Sequence, residues 1–341
     1  MKLVAVQLCL LISMKGHVTM YQYLHNYPKA EKNGWSENVQ GICHDDKYWF
    51  VSNTGKGNNT GTLWKIPVIQ DLASSSSVIL KKQYGHHIGD IDHYNGFIFA
   101  PIEKDGKPYI AVFSAQDLTF VAKQRIKKGS QFYDCLGWCA VNPQNGMLYT
   151  SDHTVISDHK PNNGFGKKKS PIMVYSINMD KIKSLNKDRT QAAGGYDRTD
   201  LFSYQGFINI YDINGKSLSR QCMQGGCFDN SGFLHINNGY EKGYANSKGG
   251  ISVFKVPKIV SKNGFFVRRL ASSNQKSGFR YQFTGWLEEP EGLTYWDLDK
   301  LQNGTERHPK VCGQLHAIIL DNEVFQKDRL YFKHYRRICY K

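Results

Sequence analysis

The stretch His87-Ile88-Gly89-Asp90-Ile91-Asp92-His93-Tyr94-Asn95-Gly96-Phe97-Ile98-Phe99-Ala100 reads as a strand, a tight turn and a second strand. Asn95-Gly96 supplies the positive φ that a two-residue hairpin needs between apolar runs. The same phrase returns at residues 40–50, 136–149 and 224–236, and Glu291-Gly292-Leu293-Thr294-Tyr295-Trp296-Asp297 opens it again. The copies share a glycine at one register, and the repeat length is roughly 48 residues, which suits one four-stranded module per copy. The expectation is an all-β chain folded as a β-propeller.

Working outward, unit one has strands at 40–43, 48–52, 63–68 and 77–80, and unit two at 88–92, 97–100, 109–113 and 119–124. Unit three has 136–141, 147–150 and 172–177, then a Lys- and Gly-rich insertion at 178–200 that reads as surface loop or short helix, then an outer strand at 207–213. Unit four has 224–228, 233–237, 251–256 and 265–270; unit five has 293–296, 315–320 and 330–334 and lacks an outer strand. A Tyr-rich run at 18–27 is expected to supply it, because pairing the first strand with the last blade removes an exposed sheet edge. This gives five blades, with room for a sixth between 200 and 219. Aromatic residues at 13% and 32 glycines suit short strands and their turns.

Residues 1–17 are expected to be a secretory signal peptide, with Lys2 followed by an apolar run at 3–12 that is too short to span a bilayer, and 18–341 a single propeller domain. The alternative for this run is a buried first strand. No later segment is apolar enough to enter a membrane. A secreted, monomeric glycoprotein follows as the expectation, with sequons at Asn58 and Asn303. Of eight cysteines, Cys9 would leave with the signal; Cys312 with Cys339 and Cys135 with Cys222 are the expected disulfides. Cys43, Cys139 and Cys227 share one register and read as small buried packing residues. Neither the step from Cys135 to Cys139 nor that from Cys222 to Cys227 has a matching histidine pair, so zinc is not expected.

The formal charge of +15 predicts attraction to polyanions, through Lys167-Lys168-Lys169 and through Arg329, Lys333, Arg336 and Arg337. No nucleic-acid-binding module is present. Nor is there a Gly-x-Ser-x-Gly elbow, a P-loop or a His-Glu-x-x-His motif.

The connections from second to third strand are the long polar ones, at 53–60, 103–108, 151–170, 238–248 and 321–328, so one end of the central channel is the expected working face. Gln40, His87, Asp90, Trp138, Gln224 and Glu291 lie beside the repeated glycine, and His86, His153 and His159 lie near the same face. Carboxylates and carboxamides converging there suit either Ca²⁺ or a small polar ligand such as a sugar. The plain alternative is that these groups pair with one another and with water. His87 with Asp90 and Glu291 is the candidate catalytic set; Gln40, Trp138, Gln224 and His153 are candidate ligand contacts.

Glu291-Gly292-Leu293-Thr294, taken with Asp90 and the repeated inner-strand glycine, resembles the calcium-dependent propeller hydrolases that include gluconolactonases and paraoxonases. The resemblance implies a metal-dependent lactonase or esterase with Ca²⁺ held by Glu291 and Asp90. Gln40 and Gln224 stand where such a family more usually has Glu, Asn or Asp. The competing expectation is a non-catalytic propeller that binds acidic glycans or a protein through its cationic loops.

Overall fold

The computed structural model describes residues 19–29, 34–54, 61–74, 80–84, 87–104, 107–128, 131–132, 136–151, 171–188, 197–211, 223–238, 250–256, 266–272, 288–301, 307–321 and 329–339. The signal-peptide reading, both sequons, His86, His153, His159, Lys167 to Lys169, and Cys135 with Cys222 fall outside these residues, as do most of the five long connections.

After β1 (Thr19–Asn26), blade one is β2 (Val39–His44), β3 (Tyr48–Asn53), β4 (Thr62–Pro67) and β5 (Leu80–Gln83), each antiparallel to the next. In blade two, β6 (His87–Ile88) and β7 (Asp92–Tyr94) share the innermost position, followed by β8 (Phe97–Lys104), β9 (Lys107–Ser114) and β10 (Phe120–Arg125). A small hairpin, β11 (Lys127–Lys128) with β12 (Gln131–Phe132), leads on to blade three, formed by β13 (Trp138–Val141), β14 (Met147–Ser151), β15 (Ile172–Ile177) and β17 (Phe202–Tyr211). Between its last two strands lie helix α1 (Met179–Lys187) and β16 (Asp197–Arg198), which adds parallel to β10. The Asn178 side chain caps α1 by accepting from Lys181 N, and Ile182 buries its inner face.

Blade four is β18 (Met223–Phe228), β19 (Phe233–Asn238), β20 (Gly250–Lys255) and β21 (Phe266–Ser272), and its outer strand pairs in parallel with β17. Blade five is β22 (Glu288–Tyr295), β23 (Leu315–Asp321) and β24 (Arg329–Cys339), completed by β1. The five-bladed reading holds, and so does closure by the N-terminal strand. Among the described residues no sixth blade forms, because Phe202–Tyr211, within the stretch that would seed it, is the long outer strand of blade three.

Strand alternation explains how the blades pack. Ile98, Ala100 and Ile102 of β8 join Phe50 and Leu63 of blade one in one core, while Phe97 and Phe99 join Cys139, Leu148 and Met173 of blade three in the next. Each blade is thus buried on both faces, with successive side chains serving opposite neighbours.

Closure is reinforced across blades. Tyr21 on β1 donates from its hydroxyl to His235 Nε2 of blade four at 2.8 Å, and His235 Nδ1 donates to the Phe233 carbonyl at 3.1 Å. The contact with Tyr21 needs a neutral imidazole whose Nε2 accepts, and burial pushes His235 down to about 3. A group with a depressed folded pKa contributes stability that is complete above its unfolded value and is lost as pH falls toward the folded one. His235→Gln is therefore expected to cost about 1–2 kcal/mol at pH 7.5. Its deficit relative to wild type should shrink at pH 4.5 in urea unfolding; an equal deficit at both pH values would count against the clasp.

Candidate functional site

Five inner strands meet around the axis with glycine at the point of contact. A Cβ on Gly292 would stand 2.8 Å from the Gly41 Cα, and one on Gly41 would stand 2.5 Å from the Asp90 Cα. Those separations are far inside normal contact, so the repeated glycine is a packing requirement. Blades two and three are tied in parallel here, Asp90 N to Gly137 O at 2.9 Å and Cys139 N to Asp90 O at 3.2 Å.

Closing the ring this tightly turns inner-strand amides toward a buried axis, and such buried donors need an acceptor. The Asp90 side chain supplies it. Oδ1 accepts from Ile42 N and Ile91 N, both at 3.0 Å, and Oδ2 accepts from Gly226 N at 2.9 Å and Leu293 N at 3.3 Å. Asp90 is fully buried. Burial raises its carboxyl well above the usual range against the pull of the Gly226, Ile42 and Leu293 amides, but two N–H donors on each oxygen occupy the lone pairs a proton would need, so the group acts here as the carboxylate acceptor. Asp90 lies in the gap between β6 and β7, where the innermost strand of blade two leaves its ladder with β8 and bridges to Trp138.

The leading ends of the inner strands hold most of the predicted residues. In blade one the pairing passes from Val39 with Asn53 to Gly41 with Ser52, and in blade four from Met223 with Asn238 to Gly225 with Asn237. Gln40 and Gln224 are the extra residues of β-bulges, and the irregularity between Pro290 and Leu293 puts Glu291 in a third. A bulge bends the strand and re-aims a side chain. Three blades thus bulge at the residue immediately before the shared glycine.

The structure brings His87 and Gln40 together, with Nε2 3.0 Å from Gln40 Oε1. Gln40 Nε2 donates to Asn38 Oδ1 at 3.1 Å and to Val39 O at 3.3 Å. Its Oε1 is therefore the acceptor, His87 Nε2 carries the proton, and Nδ1 holds a bare lone pair, a buried atom with no hydrogen-bond partner among the described residues. Burial lowers the His87 pKa, and Glu103 opposite raises it.

Glu291 is 3% exposed, and its pKa is raised well above the carboxylate range by burial, then by the charge of Glu289 and a hydrogen bond with it, then by Asp90. Asn237 Nδ2 reaches the Glu291 carbonyl at 3.5 Å, and its buried Oδ1 has no partner among the described residues. Gln224 is buried nearby in the chain register. Trp138 takes no place at the mouth. It is fully buried, donates to Ser151 Oγ at 2.8 Å, and fills the space that Gly226 leaves open.

The donor set does not fit Ca²⁺. Both Asp90 oxygens are occupied by amide donors, whose positive ends suit an anion, and among the described residues no three His, Cys, Asp or Glu side chains converge as metal ligands.

No protein family and no curated protein matches the sequence. Solved structures do resemble it. The glutaminyl cyclase of Myxococcus xanthus aligns over 94% of this chain and 98% of its own, with TM-score 0.49 and 11% identity. The PQQ-bound aldose sugar dehydrogenase of Streptomyces coelicolor aligns over 93% and 98%, with TM-score 0.42 and 11% identity. A GH43_1 enzyme of Xanthomonas citri aligns over 90% and 89%, with TM-score 0.45 and 9% identity. Likeness at this level transfers no substrate and no residue to the present chain.

Two expectations are corrected. Cys312 is a free thiol, so the bridge to Cys339 does not form, and Cys43, Cys139 and Cys227 are free and buried. The C-terminal basic cluster is not an open cationic patch. Arg336 binds Asp299 at 2.8 Å, Arg337 binds Asp229 at 3.3 Å, and Lys333 is 1% exposed beneath the Tyr23 ring. Among the described residues no helix is long and apolar enough to cross a membrane.

Sequence reasoning missed the trailing end of the channel. Here the inner strands run out into a cavity of about 530 Å³ lined by His44, Asp45, Asp92, His93, Thr294 and Trp296, among others. Asp92 accepts from His93 N at 2.8 Å and from Val141 N at 2.6 Å, and burial pushes its carboxyl up to about 7. The available signal was the acidic residue or amide that follows four of the inner strands, at Asp45, Asn142, Asp229 and Asp297, with Asp92 inside the fifth, which reads as ordinary turn chemistry.

Proposed function

We propose that the chain is an enzyme that performs general acid–base chemistry on a small neutral polar molecule at the leading end of the channel, with Glu291 as acid and His87 as base. The observation that carries this reading is the opposite tuning of the two groups. Burial favours the protonated form of Glu291 and the unprotonated form of His87, the direction each role demands. In a hydrolysis, His87 Nδ1 takes a proton from water as its oxygen attacks the substrate, and Glu291 gives its proton to the departing oxygen. Gln40 fixes the His87 tautomer, and the partnerless Asn237 Oδ1 is an acceptor for a substrate hydroxyl. Asp90 holds the strands that present these groups. Because neither partner is charged in the working state, a neutral ligand such as a lactone, ester or sugar suits the site better than an ionic one.

The test is turnover of a panel of nitrophenyl esters, lactones and nitrophenyl glycosides by wild type, Glu291→Gln and His87→Asn. Turnover by wild type that both variants lose supports the assignment. Turnover that either variant retains at the wild-type rate, or no turnover of any member, rejects it. Export rests on the apolar N-terminal run alone. Binding of acidic glycans would now rest on Lys167, Lys168 and Lys169, since Arg336 and Arg337 are tied to carboxylates.

A further inference from the structure

We propose that the cavity at the trailing end of the axis is a binding site for a small organic cation, an alkylamine or guanidinium compound, separate from the acid–base site at the leading end. Asp90 and the glycine ring shut the axis between the two, so the cavity is a compartment of its own. Its volume, about 530 Å³, is in the range of small-molecule sites.

The charge of the lining selects the ligand. Asp45, Asp46 and Asp297 face it, with Asp92 beside them only partly ionised near neutral pH, against one lysine, Lys300, on a chain whose net charge is +15. Lys300 already sits on Asp297 at 3.2 Å with its side chain 83% exposed, an ammonium resting on the rim. Among the described residues no cationic side chain pairs with Asp45, Asp46 or Asp92. The carboxylates do not converge as a metal site does, which leaves a cation that reaches several of them at once.

The lining also holds an unused polar group. Thr294 is 3% exposed and lines the cavity, and its hydroxyl makes no hydrogen bond among the described residues. Tyr94, Tyr295, Trp296 and Phe228 supply aromatic surface, and His44 covers one face of Trp296 at 4.4 Å and 2°. Carboxylates beside aromatic faces are the chemistry that holds an ammonium or guanidinium group with an aliphatic body.

Isothermal titration with 1,4-diaminobutane tests the site, with 1,4-butanediol as the uncharged control and calcium chloride as the metal control. Non-specific association of a dication with so basic a chain is repelled, so a saturable signal reports the cavity. The expected result is one diamine per chain, no heat from the diol, and binding weakened about tenfold by Asp46→Asn, as for the loss of one close charge. Asp46 is exposed, so that variant folds; Thr294→Val, which keeps the side-chain shape, is expected to weaken binding as well. Glu291→Gln should bind the diamine as wild type does, which separates this site from the proposed acid–base centre. Absence of diamine binding, binding indifferent to both Asp46→Asn and Thr294→Val, or calcium binding where the diamine does not would overturn the proposal.

Discussion

Asp90→Asn is expected to abolish the folded propeller, or to leave a chain that unfolds at much lower denaturant than wild type. The carboxylate receives four backbone N–H groups, two on each oxygen, from the inner strands of three blades besides its own. A carboxamide keeps one oxygen and presents an NH₂ group to the other two donors. Each buried donor left without an acceptor costs about 1–3 kcal/mol, and the opposed N–H groups add repulsion, so a loss of roughly 4 kcal/mol or more is expected. That is a large part of the 5–15 kcal/mol by which a domain is typically stable. Asp90→Ala leaves all four donors unpaired and opens a void on the axis, so it should be no milder. Far-UV circular dichroism and guanidinium unfolding measure the effect; a variant that unfolds cooperatively within about 1 kcal/mol of wild type would show that the amides are satisfied without the aspartate.

The same axis explains what the sequence could disclose. Five glycines at one register, spaced by alternating apolar runs, were enough for the blade count, because a β module that buries both faces must repeat its period-two pattern. The closing strand was legible for a related reason: unit five lacked an outer strand, and the Tyr-rich run at the N-terminal side was the one spare strand, now paired from Thr19 with Cys339 to Asn26 with Lys333. Strand edges were less legible. The outer strand of blade one ends three residues later than its β-propensity suggests and that of blade three begins five residues earlier, because the outer position is set by pairing with β4 and β15 and only weakly by local preference.

The site was legible as a set of residues and not as a set of roles. Gln40, Gln224 and Glu291 precede the shared glycine, which marked them; that all three sit in bulges depends on a one-residue offset between strands that no composition records. Asp90 was marked by the same reasoning as a possible metal ligand. Its role follows from the inner-strand amides that the glycine ring turns inward, a demand visible only once the strands are closed. Trp138 looked like a ligand contact because it lies beside the repeated glycine, yet the bare backbone at Gly226 in the next blade is what it covers.

Glu291→Gln is expected to lower turnover by about 10²–10⁴-fold, the usual contribution of a positioned general acid, because a carboxamide of nearly the same shape has no proton to give. The pH profile sharpens this. Wild type should be active between the depressed pKa of His87, below which the base is protonated, and the raised pKa of Glu291, above which the acid has ionised. Glu291→Gln should lose the alkaline limb and His87→Asn the acidic one. A second readout needs no substrate. A carboxyl whose folded pKa lies above its unfolded value contributes stability that is complete below the unfolded pKa and is lost as pH rises through the folded one. Relative to Glu291→Gln, wild type should therefore become less stable from about pH 4.5 upward, until the buried carboxyl has ionised. Equal pH dependence of unfolding in the two proteins would mean that Glu291 titrates as it does in water. The opposite tuning on which the acid–base assignment rests would then be absent.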